Sequence, residues 1–211
     1  METILGIKGV DFVILASDTM KAKSVMWLDE DKSKIHRLTN YSMMSAVGDG
    51  GDCLQFSEYI LRNLDLYKVT NGYDLTVRGA VHFIRTNLSA YLRSNVKYMV
   101  ALLVGGFDPT SGPELTYIDS FGSSVPVRYG GHGSGINFCT PIFEEFYNPQ
   151  LDKRTAYNII EKCVLEIQKR FVINLRNFDV FMINREGITK LDSINQQTLK
   201  AHVMANLPPR V

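Results

Sequence analysis

Thr3, Asp18 and Lys34 are the residues whose types and placement could do covalent chemistry. In the opening "METILGIKGV" a threonine precedes an apolar stretch and a glycine. One unusual arrangement uses a threonine as the first residue: its hydroxyl attacks, and its own α-amine is the base. Here the threonine is third, behind Met1 and Glu2, so its nitrogen is a peptide amide with no basic lone pair. Asp18 closes an apolar run in "LASDT", and Lys34 opens another in "DKSKIH". Both side chains are expected near a sheet, as a buried ion pair. A lysine so placed eases proton removal from a hydroxyl. The plainer role, that acid and base satisfy each other, is favoured on the residues alone.

The other candidates are weaker. His36, His82, His132 and His202 are scattered, and neither a His-x-x-x-His nor a Cys-x-x-Cys pair occurs, so no metal site is expected. "YGGHGSGINF" is rich in glycine and precedes a helix, which raises the question of a phosphate cradle. It lacks the Lys-Ser/Thr ending of a P-loop and the acidic companion of a dinucleotide fingerprint, and it reads as a tight strand-to-helix turn. Cys53 and Cys163 fall on apolar helical stripes and are read as small buried hydrophobes. No cofactor is implied.

These residues need elements to hold them. The chain has 211 residues, 45% hydrophobic and 21% charged, with a formal net charge of +1. That suits one soluble domain, and neither nucleic acid nor an anionic membrane surface is expected as a partner. Three widely spaced cysteines, Cys53, Cys139 and Cys163, point to a reducing compartment, not a disulfide framework. Short β-rich runs, "TILGIKG", "VDFVILASD", "KIHRLT" and "YSMMSAVG", come first. After Gly48 the spacing changes to three and four: Cys53, Phe56, Ile60, Leu64 and Tyr67 mark one helix, capped by Asp49 or Asp52. Val77, Val81, Ile84, Leu88 and Tyr91 mark a second. Strands return at "YMVALLVGGF", "ELTYID" and "VPVRYGG". Helices are predicted over Ile136 to Phe146 and Lys153 to Arg170, and then a strand pair, "FDVFMIN" and "GITKL".

Strands, two helices, strands, two helices, strands: this order predicts an α+β fold, a four-layer αββα sandwich with a helix pair on each outer face. A doubly wound parallel sheet is the alternative, but its strands would alternate singly with helices. Residues 1–190 are read as one domain. Residues 191–211 are polar and end near Pro208-Pro209, and are read as an extension, either a frayed tail or an arm that orders on a partner.

Taken together, "TILGIKG", "ASDT", "DKSKIH", "AVGDGGD" and "GGHGSG" resemble, in wording and in interval, the beta-type subunits of the 20S proteasome. These are N-terminal nucleophile hydrolases, and the likeness runs from about residue 3 to residue 190. The resemblance implies that Asp18, Lys34, Gly48 and Ser134 fill four of the family's functional positions: the acid ending the second strand, the lysine starting the third, the oxyanion-type glycine and the serine of a Gly-Ser-Gly turn. The same register puts Glu2 where the nucleophilic threonine stands. The family's Asp-x-x-Ser-Gly run is lost in "RFVINL", where Phe171, Asn174 and Leu175 replace its three defining residues. No propeptide removal is expected to expose a threonine.

The resemblance therefore implies a silent subunit. "QFSEYI", "LYKVTNGYDLT", "LRS" and "LEIQKRFVINL" are similar to the non-catalytic class at the fourth beta-ring position, the beta type-2 class. Its implied partners are the beta subunits at the third and fifth positions, the alpha-ring subunits and the opposite beta ring. Its implied setting is ubiquitin-dependent protein degradation in cytoplasm and nucleus. Two alternatives stand beside this reading: a threonine peptidase activated by trimming to Thr3, and a free-standing adaptor with the same fold.

Overall fold

The run FVILASD forms a strand buried at every position, as an apolar run closed by a carboxylate requires when both faces are covered. In the computed structural model the described residues are 2–23, 26–29, 32–95, 97–172 and 175–199. The chain begins β1 (Thr3–Lys8), β2 (Phe12–Asp18), β3 (Lys21–Lys23), β4 (Met26–Asp29), β5 (Ile35–Thr39) and β6 (Ser42–Gly48). Next come α1 (Gly50–Asn71), α2 (Val77–Leu92), β7 (Val100–Asp108), β8 (Gly112–Ile118), β9 (Ser124–Pro126) and β10 (Tyr129–Gly133). The order finishes with α3 (Ile136–Phe146), α4 (Lys153–Arg170), β11 (Phe178–Asn184) and β12 (Gly187–Lys190).

Among the described residues, two five-stranded sheets run in the orders β10-β1-β2-β11-β12 and β5-β6-β7-β8-β9, with β3 and β4 as a separate hairpin. Strand pairing within both sheets is antiparallel, which removes the parallel alternative. Successive side chains of a strand point to opposite faces, and this alternation builds three apolar layers. Ile4, Val13 and Leu15 meet Met43, Leu103 and Leu115 between the sheets. Leu5, Ile7, Phe12, Ile14 and Ala16 pack under α3 and α4, through Phe143, Ile160, Val164 and Ile167. Met44, Ala46, Leu102 and Val104 pack under α1 and α2, through Phe56, Ile60, Ile84 and Leu88. This is the expected αββα sandwich. Among the described residues no helix is long and apolar enough to cross a membrane.

Three details differ from the sequence reading or sharpen it. "VPVRYGG" is not one strand: β9 ends at Pro126 on the edge of one sheet, and β10 starts at Tyr129 on the edge of the other. The last bond to the first sheet is the Val127 amide on the Leu115 carbonyl (2.9 Å), and the next residue's carbonyl, that of Arg128, already accepts from the Lys8 amide of β1 (2.8 Å), so the chain crosses between Val127 and Arg128. The β3–β4 hairpin was not read, because its strands have only three and four residues and no apolar period marks them. Asp49 is the N-cap of α1, accepting from the amides of Gly51 (3.0 Å) and Asp52 (3.3 Å). Asp52 instead accepts from the Met99 amide at 2.9 Å, tying the first helical turn to the approach of β7.

The segment after β12 packs on its own chain as far as residue 199. Ile194 forms an isolated antiparallel bridge with Phe178, and Ile194 and Leu199 are buried with the α3–α4 core. Of the expected 191–211 extension, residues 200–211 lie outside the described residues, as do Met1 and Asn174.

Candidate functional site

Asp18 and Lys34 are brought together as expected. Asp18 is fully buried at the end of β2, and its Oδ2 accepts from the Lys34 ammonium. Its Oδ1 accepts from the Thr3 amide at 2.7 Å. Lys34, directly before β5, is only 8% exposed and also donates to the Met20 carbonyl at 2.8 Å. Burial pushes the Asp18 carboxyl above its ordinary range; the Lys34 charge, the Lys34 hydrogen bond and the Thr3 amide pull it back down. The pair is held by geometry, with a bond for each carboxylate oxygen.

Glu2 completes the cluster. Its Oε1 lies 3.7 Å from Lys34 Nζ, and its carbonyl accepts from the Ser134 amide at 3.2 Å. The strand pairing of β1 with β10 sets this approach, with Thr3 opposite Gly133. At Gly133 φ is +94°, and a Cβ would fall 1.8 Å from the Glu2 carbonyl oxygen, so only glycine lets the chain start so close to β10. Gly48 is restricted in the same way at the end of β6: φ is +150°, and a Cβ would lie 1.9 Å from the Met99 carbonyl oxygen. Ser134 itself is exposed at the turn into α3.

Thr3 is placed elsewhere. It shares the face of β1 occupied by Leu5 and Ile7, the face under α3 and α4. Its hydroxyl is fully buried and accepts from the Gly135 amide at 3.1 Å. The hydroxyl therefore points into the helical layer, while Lys34 meets the residue before it. No part of this arrangement offers Thr3 a base.

Phe171 and Leu175 carry neither donor nor acceptor on their side chains. Phe171 ends α4, with its ring edge-on to Phe138 of α3 at 6.4 Å between centroids. Leu175 is buried in the α3–α4 core. Apolar packing thus accounts for both side chains.

A small cleft of about 50 Å³ opens beside the cluster, lined by Glu2, Lys34, His36, Ala46, Cys53 and Leu54 among others. Burial and the carboxylates of Glu2, Asp49 and Asp52 push the Cys53 thiol up to about 12, so it stays protonated and unreactive. Among the described residues no three His, Cys, Asp or Glu side chains are grouped to hold a metal. The sequence reading missed Thr3's contact with α3. The available signal was the helix start "GSGINF", which has glycine at the N-cap and so must borrow its partner from elsewhere.

A family profile described as "Proteasome subunit" matches residues 1–183. The chain is 33% identical over 187 residues to "Proteasome subunit beta type-2" of Oryza sativa subsp. japonica, covering 89% of this chain and 88% of the rice protein. It is 32% identical over 198 residues to "Proteasome subunit beta type-4" of Saccharomyces cerevisiae, covering 93% of this chain and 100% of the yeast protein. It is 34% identical over 187 residues to "Proteasome subunit beta type-2-A" of Arabidopsis thaliana, covering 89% and 91%.

Proposed function

The chain belongs to the proteasome beta-type subunit family, and from that premise we propose that it is a non-catalytic wall subunit of the 20S core particle. The observation that carries it is the surroundings of Glu2 and Thr3: Glu2, the residue that the family resemblance puts at the nucleophile position, has its carboxylate toward Lys34, and the neighbouring Thr3 hydroxyl is buried against Gly135 on the other face of the strand. A carboxylate is a weak nucleophile toward an amide and here has no paired base, so cleavage by this chain requires groups it does not assemble. Asp18 and Lys34 then serve as a buried structural pair, with Glu2 as a second anion on the lysine.

The relatives' names support a place in the class called beta type-2 or type-4, and the proposed position is the fourth in the beta ring. Its partners are then the beta subunits at the third and fifth positions, the alpha-ring subunits and the opposite beta ring. The reaction it serves is ubiquitin-dependent protein degradation by catalytic neighbours, in cytoplasm and nucleus. The 191–211 extension is proposed to end as an arm onto a neighbour, beyond the part through Leu199 that packs on this chain.

Native mass spectrometry of the chain, tagged at its C-terminus and captured from its own cells, tests this reading. The expected result is a very large particle of many different subunits, from which this one is released with Glu2 still present. A subunit beginning at Thr3 would restore the peptidase reading. A lone chain near 24 kDa, the mass of the untagged polypeptide, would overturn the ring assignment.

A further inference from the structure

The start of α3 is held by residues outside the helix. Its N-cap is Gly135, which offers no side-chain cap, its first turn carries no acidic residue, and Pro141 lies in its interior. An eleven-residue helix with these features has little stability of its own. Two bonds from Glu2 and from Thr3 at the start of β1 secure it: the Ser134 amide donates to the Glu2 carbonyl at 3.2 Å, and the Gly135 amide donates to Thr3 Oγ1 at 3.1 Å. The fit leaves no slack, since a Cβ on Gly135 would lie 2.6 Å from Thr3 Oγ1. The same two residues face the charged cluster: the Thr3 amide is bonded to Asp18, and Glu2 faces Lys34.

We infer that Glu2 and Thr3 form a latch that couples the buried charged cluster to the opening of α3. Thr3 is a positioning residue: its amide is fixed by Asp18, and its hydroxyl fixes Gly135. When the latch is closed, the first turn of α3 is held; when it opens, that turn loses both external anchors together. The consequence reaches the outer surface. Asn137, Phe138 and Pro141 line a groove of about 400 Å³ between α3 and α4, completed by Phe146, Leu165 and Arg170. The shape of that groove is therefore linked to the charge cluster under β1, and by reciprocity whatever closes one favours the other.

The molecule carries its own reporter. Cys139 is fully buried in the first turn of α3, with its thiol toward the Gly135 carbonyl at 3.4 Å. A thiol reagent reaches it only through an opening of that turn. The experiment labels the full chain with N-ethylmaleimide under native conditions and reads Cys139, Cys163 and Cys53 separately by peptide mass spectrometry. Thr3→Val removes the acceptor and leaves the Gly135 amide buried and unpaired, so Cys139 labelling should rise about tenfold. Thr3→Ser keeps the hydroxyl and should restore a rate near that of the unmodified chain. Ile84→Val trims the core under α2 and serves as a control for general loosening. If Ile84→Val and Thr3→Val accelerate Cys139 equally, labelling proceeds by global unfolding and the latch is refuted.

Native-state hydrogen exchange on the unmodified chain decides independently, even if Thr3→Val does not fold. The Gly135 amide must exchange no faster than the Thr3 amide, and with the same denaturant dependence. Release of Gly135 while Thr3 stays protected would overturn the inference.

Discussion

Replacing Lys34 by methionine keeps much of the side-chain volume and removes one charge from a place where charge cannot be rehydrated. Lys34 is 8% exposed and Asp18 fully buried, so solvent does little to screen the pair. The substitution strips Asp18 Oδ2 of its cation, leaves the Met20 carbonyl without its donor, and leaves Glu2 beside an uncompensated carboxylate. Breaking a buried pair by removing one partner costs about 3–5 kcal/mol, most of it the burden of the stranded charge. The cost must also depend on pH in a definite sense. Burial already pushes the Asp18 carboxyl up, and Lys34 is the strongest influence opposing it. Without Lys34 the carboxyl rises further, so the folded state holds a proton that the unfolded chain has released. Stability of the variant then falls as pH rises through that interval; the penalty is full at neutral pH and recedes toward the unfolded carboxylate range near about 4. Urea denaturation of the purified chain at pH 7 and pH 5 measures this, with unchanged slopes showing that the midpoint shift is stability. The pair Asp18→Asn with Lys34→Met should recover a large part of the loss, because neither charge remains. A cost below about 1 kcal/mol at pH 7, or one that does not shrink on acidification, would refute the buried-pair reasoning.

Gly48→Ala should cost at least about 2 kcal/mol, because the added methyl meets the Met99 carbonyl at 1.9 Å and the φ of +150° suits glycine; a melting temperature within a degree of the parent would contradict the placement of that turn. His132 is buried, stacked on Tyr117 at 3.9 Å, with its Nε2 3.1 Å from the Leu102 carbonyl, and burial holds its pKa below the ordinary value. The unfolded chain therefore takes up a proton first on acidification, so stability should drop as pH falls below about 6.5, and His132→Gln should flatten that slope. His36 shifts in the same sense, through burial and Lys32, so an unchanged slope in the His132 and His36 double variant would count against both assignments. Cys53, pushed up to about 12 from 9.0, should have a thiolate population about a thousandfold smaller than an ordinary thiol's at pH 8, and alkylation as fast as that of glutathione would show its surroundings to be misread.

The layers of the sandwich were legible because each has a period that physics imposes. The continuous burial of 12–18 read directly as a strand covered on both faces, and the three-and-four spacing of Phe56, Ile60 and Leu64 read as a helix on a sheet. The boundaries of α3 and α4 came out as expected, since Lys153–Arg170 repeats an apolar stripe through Ile160, Val164 and Ile167. The Asp18–Lys34 pair was legible because each residue abuts an apolar run, and a lone buried charge is costly. What stayed hidden was set by chain crossings and by facing. "VPVRYGG" looks like one strand, but Val127 still bonds Leu115 of β8 while Arg128 bonds Lys8 of β1. That α3 needs an outside partner shows in its glycine N-cap, but that the partner is Thr3 depends on the pairing of β1 with β10, which lies far off in sequence.

That crossing has a mechanical consequence. The ten residues 124–133 supply an outer strand to each of the two sheets, so one short segment shields both β1 and β8 from the solvent side of their ladders. Its guards are poor adhesives: Pro126 cannot donate, and Gly130, Gly131 and Gly133 offer no side chain for a foreign strand to grip. A single backbone cut between Pro126 and Tyr129 would part the two sheets' shared border strand while leaving β9 paired with β8 and β10 paired with β1. The seam is thus a shared selvedge: one border of each sheet is finished by the same short stretch of chain, and the opposite borders fall to β12 and β5.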